Sequence, residues 1–363
     1  MFRKLHRAVV AFTVVALIIT ACGTAATPTA QPTAALEPAT VAPTLAPTEA
    51  PVTGALVVYS GRKEPLIQPV LDAFKAKYPD VEIVLKSGSN SELANALIEE
   101  KANPQGDVFI TTEVFTVQAL YAEGVFENYV SPNAADIPAQ YRQVDGGWTG
   151  VTARARVIMY NTTLVKPEDA PQSIFDLTDP KWQGQVAAAG SANGSMQAQV
   201  AVLRELVGEG ATEDWLAGLV ANEVTFFDSH TDVRKAVGAG EFKIGLVNHY
   251  YYYLQQAEGS PVSVVFPDQG DGQIGVIVNA TAAGIVKGGR NPEAAKALVD
   301  FLLSGEGQKL FAELNYEYPL VPGVALHPDV QSLDGLRLAD VNLAEATVDL
   351  DATFDLMEKV GLP

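Results

Sequence analysis

Ile244-Gly245-Leu246-Val247-Asn248-His249-Tyr250-Tyr251-Tyr252-Tyr253 decides how the chain is read. Its first four residues are a short apolar run of the kind a parallel sheet buries on both faces. Four consecutive phenols then stand where that strand ends. In open α/β folds the crevice beyond the carboxyl ends of the strands is where small ligands bind. On a continuing strand Tyr250 and Tyr251 would face opposite ways, so both reach one crevice only if the chain turns into a helix or loop there. The competing reading makes the run a packed strand end, with one or two core tyrosines and the rest at the surface.

Upstream, strands and helices alternate. Leu56-Val57-Val58-Tyr59 reads as a strand, residues 65–78 as an amphipathic helix striped by Leu66, Val70, Phe74 and Tyr78, and residues 81–85 as the next strand. Ser89 and Glu92 have the spacing of a capping box that opens a helix to about Lys101. Residues 107–110 form a third strand, and a helix follows over about 115–122. Such alternation implies a parallel sheet with crossover helices. The pattern restarts after Trp148, with strands at 156–160, 186–189, 224–227 and 262–266. Helices are expected from Asn193-Gly194-Ser195 to Leu206 and, after the polar turn 228–232, to Val237. Residues 275–286 carry the chain back, helices follow at 292–303 and 306–314, and residues 343–360 make a final helix. From Ala55 on, roughly 310 residues are more than one compact core holds. The expected fold is therefore α/β in two lobes, 55–147 with 271–325 and 148–270 with 326–363, joined by crossing strands.

The chain begins as a targeting segment. Arg3, Lys4 and Arg7 lead an apolar stretch over residues 8–19, too short to span a bilayer, and Ile19-Thr20-Ala21-Cys22 closes it. That tetrapeptide resembles a bacterial lipobox, and Cys22 is the only cysteine, unable to form an internal disulfide or a thiolate metal site. The expectation is a signal peptide over 1–21, lipid on Cys22, export, and anchorage at the outer face of the cytoplasmic membrane or in the periplasm. Residues 22–54, rich in Thr, Ala and Pro, would be the tether.

The formal net charge of −19 excludes nucleic acid as a natural partner and suits a cation. The sequence holds no GxSxG elbow, HExxH or P-loop, and it has four histidines. Enzyme chemistry is thus reduced to an acid pair in a cleft, the third of three function classes.

Five motifs then come in order: Val58-Tyr59-Ser60-Gly61-Arg62, Arg154-Ala155-Arg156-Val157-Ile158-Met159-Tyr160-Asn161, Asp179-Pro180-Lys181-Trp182, Val247-Asn248-His249-Tyr250-Tyr251 and Asn315-Tyr316-Glu317-Tyr318-Pro319. Together they resemble the ferric-ion-binding proteins of bacterial ABC importers, two-lobed periplasmic binding proteins of type 2. The resemblance covers essentially all of residues 55–363. It implies a monomer whose lobes close over Fe³⁺ and deliver it to the transmembrane subunits of a permease. It also implies that Tyr250 and Tyr251 are metal ligands, with Tyr160 as a third, and that Tyr252 and Tyr253 pack or form the rim. A hard trivalent cation suits anionic oxygen, and metal coordination can displace a phenol proton.

Many members complete the shell with carbonate or phosphate. The matching positions are Arg62, Arg154 or Arg156, the Asn193-Gly194-Ser195 turn, Thr231 and Asn248. The chain also departs from the pattern, since the positions of a histidine and a glutamate ligand in some members hold Lys63 and Thr112. Glu64 and Glu113, one residue further on, are the acidic substitutes, and His249 reads as a packed residue. The second function class keeps the fold and changes the ligand to a small oxyanion, an organophosphonate or a thiamine-like organic.

Overall fold

The computed structural model describes residues 51–346 and 349–363. The basic leader, the Cys22 tetrapeptide and nearly all of the expected tether lie outside the described residues.

The chain runs β1 (Gly54–Ser60), α1 (Glu64–Lys77), β2 (Val81–Ser87), α2 (Asn90–Glu99), β3 (Val108–Ile110), α3 (Val114–Ala122) and β4 (Phe126–Glu127). Next come β5 (Thr149–Asn161), β6 (Val186–Ala189), α4 (Gly194–Val207), α5 (Glu209–Ala221), β7 (Thr225–Phe227) and α6 (His230–Ala239). Then follow β8 (Ile244–Asn248), α7 (His249–Ala257), β9 (Val262–Val265), β10 (Val278–Val286), α8 (Pro292–Leu302), α9 (Gly305–Asn315), β11 (Tyr318–Pro319) and α10 (Leu350–Lys359).

Local chemistry accounts for these elements. α1 buries Ile67, Val70, Leu71 and Phe74, while the expected Leu66 and Tyr78 are only half-buried at its margins. Ser89 and Glu92 form both halves of the capping box on α2. α5 has no counterpart among the expected elements, although its buried Thr212, Trp215, Leu216 and Leu219 have helical spacing.

Strand order along the sheet is β2-β1-β3-β10-β5-β8-β6-β7. β1 pairs in parallel with β2 and β3 in the first lobe, and β6 pairs in parallel with β7 and β8 in the second. Between them β5 belongs to both: Thr149–Ala155 face β10, whereas Arg156–Tyr160 face β8, and Ile158–Asn161 also face β9. The handover therefore falls inside one strand, between Ala155 and Arg156, so residues 149–155 lie in the first lobe's sheet. All thirteen residues of β5 are buried, as expected of a strand walled in on every side. The return strand is β10, and α10 packs on α4 and α5 of the second lobe. Among the described residues no helix is long and apolar enough to cross a membrane.

Parallel pairing places the carboxyl ends of β1 and β3 on one edge and those of β6, β7 and β8 on another. The loops leaving those ends converge on a single cleft.

Candidate ligand-binding cleft

β8 ends at Asn248 and α7 starts at once with His249, so Tyr250 and Tyr251 occupy the first turn of a helix. That turn brings both rings to the same side, their centroids 4.3 Å apart at 33°. Both line a cleft with room for about 150 Å³. From the first lobe come Gly61, Arg62 and Lys63 after β1, Asn90 at the start of α2, and Thr112 after β3. The second lobe supplies Asn193, Gly194 and Ser195 at the start of α4, with Ser229 and His230 at the start of α6. Arg154, on β5, lies between the two groups.

The lobes approach closely here. A β-carbon added to Gly194 would stand 2.7 Å from Asn90 Nδ2 and 3.0 Å from Thr112 Oγ1. Asn193 caps α4 by accepting from the Ser195 N–H. The first-turn N–H groups of α4 thus open toward the space in front of the tyrosines, an arrangement that favours anions.

Cations dominate the rear wall. Glu317 is fully buried and accepts hydrogen bonds from Arg62 Nη1 (3.1 Å), Arg62 Nη2, Arg154 Nη2 (3.3 Å) and Thr152 Oγ1. Burial opposes its ionisation, but the two guanidinium groups and the hydrogen bonds outweigh burial and hold the carboxyl at about 2. The same contact raises Arg62, against the effect of burial. Burial pushes the Tyr251 phenol well above its ordinary value and neighbouring Tyr250 adds to this, only partly countered by Arg154 and Arg62. With the cleft as it stands, Tyr251 is a neutral phenol.

The His230 ring lies 5.2 Å from that of Tyr251, tilted by 32°, and its Nε2 lies 3.1 Å from Arg156 Nη1. Arginine can only donate, so the imidazole accepts at Nε2 and carries its proton on Nδ1. Burial, then Arg156 and Arg154, hold this ring neutral, far below its ordinary value.

Several expected site residues lie elsewhere. Tyr160 pairs with Ile244, at the amino end of β8, whereas Tyr250 and Tyr251 leave its carboxyl end. Four residues of strand separate those ends by about 13 Å. Tyr160 does not line the cleft and sits instead near enough to Tyr252 to raise that phenol electrostatically. Glu113 is the N-cap of α3 and accepts from the N–H groups of Phe115 (2.6 Å) and Thr116 (3.0 Å), so its carboxylate is taken. Glu64 is exposed in the first turn of α1 and is absent from the lining, as is Thr231. Asn248 is buried behind the cleft, donating to Ser195 Oγ and accepting from Arg156.

Arg62, Arg154, Asn193, Gly194, Ser195, Tyr250 and Tyr251 do meet in one place, with Lys63 and Thr112 beside them. His249 is packed: Ala155 N donates to its Nδ1 and its Nε2–H reaches Tyr316 O at 2.9 Å. Tyr253 stacks on Tyr316 and accepts from the Gln331 N–H, while Tyr252 accepts from Gln256. Ser229, His230 and Glu317 were not among the expected site residues. The polar turn Asp228-Ser229-His230 was the available signal, since it directly follows a strand end.

A family profile described as bacterial extracellular solute-binding protein matches residues 103–333. The chain belongs to that family, in its ferric-iron-binding branch. The Fe(3+)-binding periplasmic protein of Serratia marcescens is 29% identical over 313 residues, covering 85% of this chain and 90% of that protein. Iron-bound HitA from Pseudomonas aeruginosa superposes with a TM-score of 0.79 at 28% identity, over 85% of this chain and 99% of that one. The periplasmic binding protein AfuA from Actinobacillus pleuropneumoniae, with fructose-6-phosphate bound, gives 0.75 at 26% identity, over 84% and 97%. These structures share the two-lobed α/β architecture. Within this solute-binding protein, among the described residues, no group of three or more His, Cys, Asp or Glu side chains is placed to hold a metal ion. Asp228 is the one carboxylate among the described residues lining the cleft.

Proposed function

We propose that this protein captures ferric ion in the interlobe cleft, with Tyr250 and Tyr251 as phenolate ligands, and delivers it to the membrane subunits of an ABC importer. The observation that carries the reading is the pair of adjacent phenols at the β8–α7 junction, opening into a cleft whose other charged groups are mainly cations. Two phenolates offset most of a trivalent charge. Arg62, Arg154 and the first turn of α4 then favour a synergistic anion such as carbonate or phosphate, bound between metal and rear wall. Closure shifts an existing equilibrium, because only the closed form joins contacts from both lobes. The ligand is bound and released unchanged, and lipid on Cys22 keeps the protein beside its permease. Titration with ferric nitrilotriacetate tests this directly: a visible phenolate-to-iron charge-transfer band should grow to one equivalent and disappear in the Tyr250→Phe/Tyr251→Phe variant.

A second reading has its own support. Arg62, Lys63, Arg154 and the α4 N-terminus also form a receptor for a phosphorylated or phosphonate-bearing organic molecule, with the tyrosines as walls, and AfuA holds such a ligand. It predicts no colour on iron addition and a thermal shift with sugar phosphates or aminoalkylphosphonates.

A further inference from the structure

Behind the floor of the cleft is a second, smaller space where β5, β10 and α4 meet. It has room for about 10 Å³, which admits a single small occupant such as one water or one monatomic ion. Thr112, Arg154 and Ser195 separate it from the cleft, and Arg156, Gln199 and Asn279 close its far side.

Its free polar atoms are donors. Gln199 Oε1 is occupied by Arg156 Nε at 2.8 Å, and Asn279 Oδ1 accepts from the N–H groups of Ala280 (2.7 Å) and Val114 (3.3 Å). Each amide is therefore turned so that its NH₂ is the unused end. Gln199 Nε2, Asn279 Nδ2, Arg154 Nε and Arg156 Nη2 are all buried and have no hydrogen-bond partner in the protein.

Charge points the same way. Arg62 and Arg154 share Glu317, but the partners of Arg156 are Gln199, His230 and Asn248, all of them neutral. Burial lowers its guanidinium to about 9, which leaves it cationic at neutral pH. A buried charge without a counterion is strongly unfavourable. A water molecule would accept from two of the donors and turn its own hydrogens toward the others, whereas an anion accepts from all of them.

We propose that this space binds a single halide ion, chloride under physiological conditions, held by Arg154, Arg156, Gln199 and Asn279 where β5 passes beside β10 from one sheet into the other. The ion neutralises Arg156 and links α4 of the second lobe to β10 of the first. It is distinct from any anion that touches metal in the cleft, because neither Tyr250 nor Tyr251 lines this space. It also needs no iron, so its test is independent of the proposed function.

Crystals of the iron-free protein grown in sodium bromide should show one anomalous peak within hydrogen-bonding distance of Arg156 and Gln199. In solution Tm should rise by roughly 3 °C as chloride replaces gluconate from about 1 mM to about 100 mM at fixed ionic strength. Gln199→Glu supplies the missing negative charge from within. That variant should keep its circular dichroism spectrum and lose both the peak and the chloride dependence. A bromide crystal with no peak, indicating ordered water, overturns the proposal, as does an equal chloride response of Tm in wild type and Gln199→Glu.

Discussion

Gly194 and Asn90 meet across the cleft with no space for a side chain between them: a β-carbon on Gly194 would lie 2.7 Å from Asn90 Nδ2. The Asn90 amide is not free to swing away, because it donates to Thr112 Oγ1 at 2.9 Å and accepts from Thr112 N at 3.3 Å. Gly194→Ala should hold the lobes apart while leaving each lobe's own packing intact. The expected result is a larger radius of gyration for the ligand-loaded protein by X-ray scattering and about tenfold weaker ligand binding, with little change in Tm.

Tyr251 must lose a proton to become a phenolate. Ferric uptake should therefore release at least one proton per metal, and affinity should fall about tenfold for each pH unit lowered for each proton released. Titration in weakly buffered solution with a pH electrode measures this, and Tyr251→Phe should abolish the release from that position while conserving ring volume.

Glu317→Gln leaves Arg62 and Arg154 without their shared carboxylate in a fully buried site. Removing one partner of a buried ion pair is worth about 3–5 kcal/mol of stability, read as a lower midpoint in guanidinium unfolding. The wild-type carboxyl is depressed to about 2, so its contribution is complete above the ordinary glutamate range and is lost as pH falls from about 4 toward 2. The Gln variant should show a flatter stability profile across that window.

His249 is held at about 3 by burial, opposed by Glu317 and by its backbone hydrogen bonds, and His230 is also held well below its ordinary value. Unfolding lets both rings take up protons below about 6.5, so stability should decline as pH drops from there, by about 1.4 kcal/mol per pH unit for each ring. His249→Asn should roughly halve that slope in denaturant titrations at successive pH values.

The strand and helix alternation was legible because each buried strand is a compact apolar run and each early helix carries a stripe or a cap. The tyrosine run was legible for a different reason: two neighbouring phenols can share a crevice only off a strand, and β8 does give way to α7 at Asn248. α5 was equally readable from Thr212, Trp215, Leu216 and Leu219. Tyr160 could not be placed from its motif, since it shares the strand parity of Arg154 and Arg156, and only the antiparallel register with β8 sets it at the wrong end. Glu113 looked like a stray acid next to a ligand position, and its use as a helix cap depends on where α3 begins. The pairing of Glu317 with Arg62 spans 255 residues, a separation no local pattern encodes.

A thirteen-residue strand shared by two sheets ties both halves to one length of backbone, the first of the crossings the chain makes between them. A rotation of one half against the other would twist that strand near the Ala155–Arg156 peptide, where its pairing passes from β10 to β8, and would turn the two arginines flanking Ala155. Any such rotation would redraw the electric field at Tyr250 and Tyr251, even before any ligand enters.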